Sequence, residues 1–133
     1  MARALMIGDL ATATGTKVNT IRFYEDIGLM PRAARTESGR RTYADADLRR
    51  LRFIRHARQL GFSTDEIRSL LVLSDRSDGE CDEVNRITKL HLTEVDAKIA
   101  RLVLLRGELA RMAKMCAGGT VTHCRVLEVL GGP

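Results

Sequence analysis

The stretch GTKVNTIRFYEDIG, from Gly15 to Gly28, decides the predicted fold. Apolar residues at helical spacing between the two glycines predict a short helix that ends at Gly28. The preceding residues MIGDLATAT carry Ile7 and Leu10 at the same spacing, which predicts another short helix that ends at Gly15. Two short helices joined by a glycine-containing turn are typical of a helix-turn-helix motif, whose second helix enters the major groove.

A small hairpin and two further helices are predicted to follow this motif. The turn residues ESGRR lie between two short extended arms, RAAR and RTY, which is the pattern of a wing. Asp45 or Asp47 is expected to cap a third helix, and Ser63 with Glu66 forms a capping box that opens a fourth. The sequence therefore predicts a mainly α fold, with a winged helix-turn-helix domain over residues 1–75.

Residues 83–115 predict one long helix, because they contain no proline and only one glycine. Its apolar residues recur every three or four positions and form a narrow stripe typical of a coiled coil. The stripe comprises Leu92, Val95, Ile99, Leu102, Leu105, Leu109 and Met112. A helix this long is expected to bury the stripe against a second copy of the chain, as an antiparallel pair. Folding back on its own domain is the alternative.

Charge is distributed unevenly along the 133 residues, whose net charge is +5. Residues 1–60 contain 12 Lys and Arg against 6 Asp and Glu, and the rest of the chain is close to neutral. The basic excess favours nucleic-acid binding by the N-terminal half, with a solvated basic surface as the alternative. No apolar run approaches the length of a membrane span and no signal peptide is evident, so a cytoplasmic protein is expected.

Three cysteines, an odd number, argue against a disulfide framework in a reducing compartment and favour metal or redox chemistry. Cys116 and Cys124 flank the loop CAGGTVTHC, and Cys81 lies 35 positions before Cys116. That separation corresponds to about 50 Å of helix, so Cys81 would approach the loop only in an antiparallel partner. Three thiolates would make a soft anionic site, to which His123 could add nitrogen, while burial as small hydrophobes is the alternative.

The strings IRFYEDIGL, GRRTY and IRHARQLGFSTDEI together resemble MerR-type transcriptional regulators, and the resemblance covers nearly the whole chain. It implies a homodimer on pseudo-palindromic promoter DNA that acts together with RNA polymerase. In the metal-sensing branch, cysteines matching Cys116 and Cys124 bind the ion. A third cysteine, matched by Cys81, implies a response to divalent zinc, cadmium, lead or mercury rather than to monovalent copper.

Residues predicted to contact DNA lie on the second helix, the wing and the third helix. Lys17 and Asn19 begin the second helix, where side chains can reach base edges. The resemblance assigns Arg22 and Tyr24 to DNA and Phe23 largely to the core. The full predicted set is Lys17, Asn19, Thr20, Arg22, Tyr24, Arg35, Arg40, Arg41, Tyr43 and Arg55.

The resulting prediction is a regulator that activates metal resistance or efflux genes when a divalent ion distorts the bound promoter. One metal site per subunit is expected, shared across the dimer. Residues 76–115 would be the linker and long dimerisation helix, and residues 116–133 the metal-binding loop with a short C-terminal helix. A thiol redox sensor that pairs Cys116 with Cys124, a copper(I) sensor and a cytosolic metal-binding protein are the alternatives. No catalytic motif is present, so an enzyme is not expected.

Overall fold

A computed structural model of the chain describes residues 4–76, 78–115 and 118–132. These residues are mainly helical, as predicted, and the chain divides between Val84 and Asn85 into two compact units. The elements, in chain order, are α1 (Ile7–Thr14), α2 (Val18–Asp26), β1 (Ala34–Arg35), β2 (Arg41–Thr42), α3 (Asp45–Gln59), α4 (Thr64–Ser74), α5 (Asp82–Met115), a 3-10 turn (Val121–His123) and α6 (Arg125–Leu130).

The helix-turn-helix prediction is confirmed by α1, α2 and the turn between them. Gly15 ends α1 in the left-handed region at φ 67°, a conformation that glycine adopts without strain. The hydroxyl of Thr14 donates to the carbonyl oxygen of Leu10 at 2.8 Å. Side chains from α1 to α4 and the segment after α2 fill the core of the first unit, in which the fully buried ones include Leu10, Ile21, Leu29, Leu51, Ile54 and Ile67.

The predicted wing is an antiparallel pair of two-residue strands, β1 and β2, in which Ala34 pairs with Thr42 and Arg35 with Arg41. Its base is extended by an isolated bridge between Leu5 and Tyr43. The wing therefore projects from the helical core and is tied to the segment before α1 by backbone hydrogen bonds.

The predicted cap of α4 is confirmed, whereas the predicted cap of α3 is wrong, because Asp45 and Asp47 both lie inside that helix. At the start of α4 the Ser63 hydroxyl accepts the Glu66 N–H at 3.1 Å, and the Glu66 carboxylate accepts the Ser63 N–H at 2.9 Å. Ala44 is the cap residue of α3, and the carboxylate of Asp47 accepts its N–H at 2.8 Å. Of the two aspartates predicted to cap this helix, Asp47 makes the bond to the cap residue.

The 34-residue helix α5 confirms the predicted long helix. Most of its apolar stripe is exposed to solvent, namely Leu92, Ile99, Leu102, Leu105 and Leu109, whereas Met112 is buried. In the part of the chain that the structure describes, no helix has the length and apolar character needed to cross a membrane.

Candidate DNA-binding face and metal ligands

The solvent-facing stripe of α2 consists of Asn19, Arg22, Phe23 and Asp26. These positions follow the i, i+3, i+4, i+7 spacing of one helix face. The expectation that Phe23 belongs largely to the core is wrong, because its side chain is 52% exposed. Ile21 lies on the opposite, buried side of α2, so Phe23 remains on the surface that also presents Asn19 and Arg22. An exposed aromatic ring beside polar groups is suited to apolar contact with a thymine methyl group.

A cleft of about 290 Å³ lies between α2 and the wing. We call it the wing cleft, and its lining residues are Arg22, Glu25, Asp26, Arg32, Ala33, Arg35 and Arg41. Three of the predicted DNA contacts, Arg22, Arg35 and Arg41, therefore converge on one concave surface. Guanidinium groups are frequent partners of backbone phosphates.

Glu25 lies at the back of the wing cleft and is 9% exposed. One of its carboxylate oxygens accepts the hydroxyl of Tyr43 at 2.8 Å, and the other accepts the backbone N–H of Ala33 at 3.2 Å. Ala33 directly precedes β1 and Tyr43 directly follows β2. A single carboxylate therefore connects α2 to both arms of the wing.

Tyr43 was predicted to contact DNA from the wing, and the structure gives its hydroxyl a protein partner instead. Its side chain is 3% exposed, and the hydroxyl donates to Glu25. Burial, together with this hydrogen bond and the nearby charge of Glu25, raises the pKa of Tyr43 from 10.0 to about 12. The hydroxyl therefore stays protonated, and able to donate, throughout the neutral range.

This raised pKa predicts a pH-dependent stability. Since the neutral form of Tyr43 is favoured by folding, its contribution is complete below pH 10 and is lost as the pH rises from 10 to about 12. The chain has two tyrosines and no tryptophan, so phenolate absorbance follows them directly. Tyr43→Phe should remove a component that titrates near pH 12. Disappearance of a component near pH 10 instead would contradict the raised pKa.

A second cleft, of about 450 Å³, lies at the turn of the helix-turn-helix. We call it the turn cleft, and its lining residues are Gly15, Thr16, Lys17, Thr20, Tyr24, Arg55, Arg58 and Gln59. Four predicted DNA contacts, Lys17, Thr20, Tyr24 and Arg55, meet here. Tyr24 is mostly buried and reaches this cleft from the core side of α2. The two remaining predicted contacts, Asn19 and Arg40, lie in the open, on α2 and in the wing hairpin.

Several arginines of the first unit also have structural hydrogen bonds. Arg55 donates to the carbonyl oxygen of Gly15 at 2.7 Å and so ties α3 to the helix-turn-helix turn. Arg50 donates to Leu29 at 2.6 Å, and Arg68 donates to Ile27 at 2.7 Å. Arg50 and Arg68 satisfy carbonyl groups at the C-terminal end of α2 and fix that helix on α3 and α4. Some of the basic side chains in this unit therefore hold α2 in place.

Two of the predicted metal ligands lie at helix starts. Cys81 is an exposed thiol in the turn directly before α5, and Cys124 is a half-buried thiol directly before α6. Cys116 lies outside the described residues.

His123 lies beside Cys124 in the 3-10 turn, and its ring is exposed. The Nδ1 atom is 3.2 Å from the hydroxyl oxygen of Thr120, within hydrogen-bonding distance. This contact leaves Nε2 as the ring nitrogen for a metal ion, in the arrangement usual for metal-bound histidines. The thiol of Cys124 and the imidazole of His123 are donors that suit a soft or borderline divalent ion such as zinc.

Comparison with known proteins shows to which family this DNA-binding face belongs. Residues 5–72 match the family model of MerR helix-turn-helix regulatory proteins, and residues 48–112 match the model of the MerR DNA-binding region. The chain belongs to the MerR family. Its members are transcriptional regulators that bind DNA, which confirms the prediction of a DNA-binding regulator rather than an enzyme.

Individual MerR-family relatives are similar over almost their whole length. The regulator ZntR of Escherichia coli K12 is 42% identical over 127 residues, covering 93% of this chain and 90% of ZntR. Heavy metal-dependent transcription regulator 2 of Rhizobium meliloti is 41% identical, covering 92% and 83%. The structure of PbrR691 from Ralstonia metallidurans CH34, in complex with lead(II), is 38% identical, with a TM-score of 0.81 and coverage of 96% and 99%.

Sequence reasoning missed three residues that organise this MerR-type DNA-binding face. Glu25 could have been suspected, because it falls on the buried side of α2 one position after Tyr24. Arg50 and Arg68 carry no such signal, because a long cation on an amphipathic helix looks like a solvated residue until its backbone partner is located.

Proposed function

We propose that this MerR-family protein is a homodimeric regulator that binds a pseudo-palindromic promoter site and activates transcription when a divalent soft metal ion binds. The carrying observation is a DNA-binding face of the MerR type on a chain that has the exposed thiol of Cys81 directly before α5 and the half-buried thiol of Cys124 directly before α6. Two relatives support a metal effector, since one is named as heavy metal-dependent and PbrR691 has been solved with lead(II).

The proposed DNA contacts are of two kinds: contacts to backbone phosphates, which position the protein on the duplex, and contacts to base edges, which recognise the sequence. In the wing cleft, Arg22, Arg35 and Arg41 would bind backbone phosphates, with Arg40 adding a contact from the wing hairpin. In the turn cleft, Lys17 and Arg55 would do the same, with Thr20 and Tyr24 beside them. Asn19 and the exposed ring of Phe23 would read base edges in the major groove. Tyr43 would act through Glu25, from inside the fold.

The proposed metal site joins two subunits. Thirty-four residues of α-helix extend about 50 Å, so Cys81 and the cysteine loop lie at opposite ends of α5. In an antiparallel dimer the start of one α5 meets the end of the other. Cys81 of one subunit would then bind the ion together with Cys116 and Cys124 of its partner, with His123 as a candidate fourth ligand. The functional segments would be residues 1–75, 76–115 and 116–133.

The proposed mechanism couples metal binding to the shape of the promoter. An ion that ties the cysteine loop to the partner's Cys81 would change the angle between the two DNA-binding units of the dimer. Bending a DNA duplex of the length of a promoter site costs on the order of 1–6 kcal/mol, and the free energy of metal binding can supply this amount. RNA polymerase would then use the distorted promoter.

This function is tested with a DNA duplex that the protein itself selects from a random-sequence pool. We expect the reduced protein to hold this duplex with and without zinc, cadmium, lead or mercury. Addition of the ion should change the end-to-end distance of the duplex, measured by energy transfer between dyes at its ends. Run-off transcription from a promoter that contains the site should rise about 10-fold or more, which corresponds to about 1.4 kcal/mol.

Two results would contradict the proposal. If an ion binds the protein but leaves both DNA shape and transcription unchanged, metal binding is not coupled to the shape of the promoter. Tight binding of copper(I) alone, without any divalent ion, would replace the divalent effector with a monovalent one.

A further inference from the structure

The carboxylate of Glu25 is shared between the recognition helix and the two ends of the wing. It accepts the Tyr43 hydroxyl at 2.8 Å and the Ala33 N–H at 3.2 Å, and it is 9% exposed. Hydrogen bonds to a charged acceptor are stronger than neutral ones, and more so when they are shielded from water. The contact therefore constrains where the wing sits relative to α2.

The strands of the wing themselves contribute little that would hold it at a fixed angle. Each of its strands is two residues long, and none of the residues in β1 and β2 is buried. A two-stranded hairpin without a buried face is marginally stable in water. The backbone bridge between Leu5 and Tyr43 ties the base of the wing to the segment before α1. Glu25 supplies the side-chain contact to α2.

The charge of Glu25 is unfavourable for DNA binding in itself. Glu25 and Asp26 both line the wing cleft, whose arginines face the proposed phosphate positions. A carboxylate near a phosphate repels it, so removing either charge should strengthen DNA binding if charge were the only effect. A buried carboxylate that accepts hydrogen bonds from both ends of the wing points to a geometric role.

We propose that Glu25 is a positioning residue for DNA binding. Its carboxylate sets the distance between Arg22 on α2 and the wing arginines Arg35 and Arg41, so that all three reach phosphates of one duplex together. The inference rests on the proposed DNA-binding function. Because Glu25 joins the wing to α2, the two elements bind DNA as one rigid unit.

The test compares Glu25→Gln and Tyr43→Phe with Asp26→Asn, on a duplex that the wild-type protein selects from a random pool. Asp26 is exposed and lines the same cleft, so its substitution removes a charge of the same sign. We expect Asp26→Asn to bind about 2-fold tighter. Glu25→Gln and Tyr43→Phe should bind about 10-fold more weakly, because one hydrogen bond to the carboxylate is lost in each.

The salt dependence of binding gives a second measurement that fold stability does not move. Loss of one phosphate contact lowers the slope of log K against log salt by about 0.9. We expect this change for Glu25→Gln and Tyr43→Phe, together with weaker hydroxyl-radical protection of the DNA under the wing. The double variant should lose no more affinity than the weaker-binding single variant, because both substitutions break the same contact.

Different results would contradict the positioning role of Glu25 and the proposed DNA-binding function. Tighter binding by Glu25→Gln, with an unchanged salt slope, would overturn the positioning role and leave the proposed function intact. Failure of the wild-type protein to select any duplex would overturn the proposed function, and this inference with it. If Glu25→Gln lowers the helical circular dichroism, Tyr43→Phe decides the question, because it keeps the buried ring and removes only the donor.

Discussion

Cys81→Ser is expected to abolish the response to divalent metal ions while leaving DNA binding in place. The substitution removes one of three proposed thiolates, and a hydroxyl is a much poorer ligand for a soft ion. Apparent metal affinity should fall by about 100-fold or more, since each thiolate carries a large share of the binding free energy. Titration of the reduced protein, followed by thiolate-to-metal absorbance, measures this loss.

Cys81 is exposed in the turn before α5, so serine should fit there without disturbing the fold. Glu80→Gln is the matched control, because it changes the neighbouring exposed side chain and leaves all three cysteines intact. Its metal affinity should stay within about 3-fold of the wild-type value. Equal losses in the two variants would indicate a general charge effect and contradict ligation by Cys81.

The same variant separates metal sensing from thiol redox sensing. A sensor that pairs Cys116 with Cys124 on oxidation has no need of Cys81 and should keep its response to diamide after Cys81→Ser. A divalent metal sensor should lose its response to the ion in this variant. Retention of the metal response would favour a site made from the loop alone, which is the arrangement expected for copper(I).

Leu102→Asp is expected to convert the protein to a monomer and to weaken DNA binding by about 100-fold or more. Leu102 lies on the apolar stripe of α5 and is 63% exposed in a single chain. A buried charge without a partner is strongly unfavourable, so a helix pair that covers this position would dissociate. Each DNA-binding unit would then engage one half-site alone and lose the gain from linked binding.

Leu104→Asp is the control on the same helix. Leu104 is 76% exposed and lies about 200° around the helix from Leu102, on the face away from the stripe. The Leu104→Asp variant should remain dimeric, as measured by sedimentation or light scattering. Monomeric wild-type protein would contradict the dimer and favour folding back of α5. Dissociation by both variants would indicate that the interface is not confined to the stripe.

The helical elements followed closely from local sequence signals. Gly15 ends α1 as expected, and Ser63 with Glu66 forms the expected capping box. The long helix was predictable because residues 83–115 lack proline and keep their apolar spacing. Each of these features depends on residues within one or two turns of one another, so periodicity and cap chemistry are sufficient to predict them.

The DNA-binding face was predictable only in part. Arg22, Arg35 and Arg41 lie far apart in sequence, and it is the fold that brings them to one cleft. The placement of Phe23 in the core, taken from the family resemblance, was wrong, because its position on α2 puts the ring on the surface with Asn19. Burial on α2 is decided by which side of the helix meets the core, and residue type alone does not specify it.

The sequence by itself determined the approximate extent of the helices, the wing, the apolar stripe on α5 and the positions of the thiols along the chain relative to that helix. Tertiary structure decided the contacts between distant segments. Glu25 joins α2 to Tyr43 and Ala33, Arg50 and Arg68 hold the end of α2, and Arg55 holds its preceding turn. These bonds link residues 8 to 41 positions apart, and most of them end on backbone carbonyl groups, which every residue carries. Backbone carbonyl partners cannot be predicted from the sequence, because only the folded chain specifies which carbonyl group lies within reach of a given arginine.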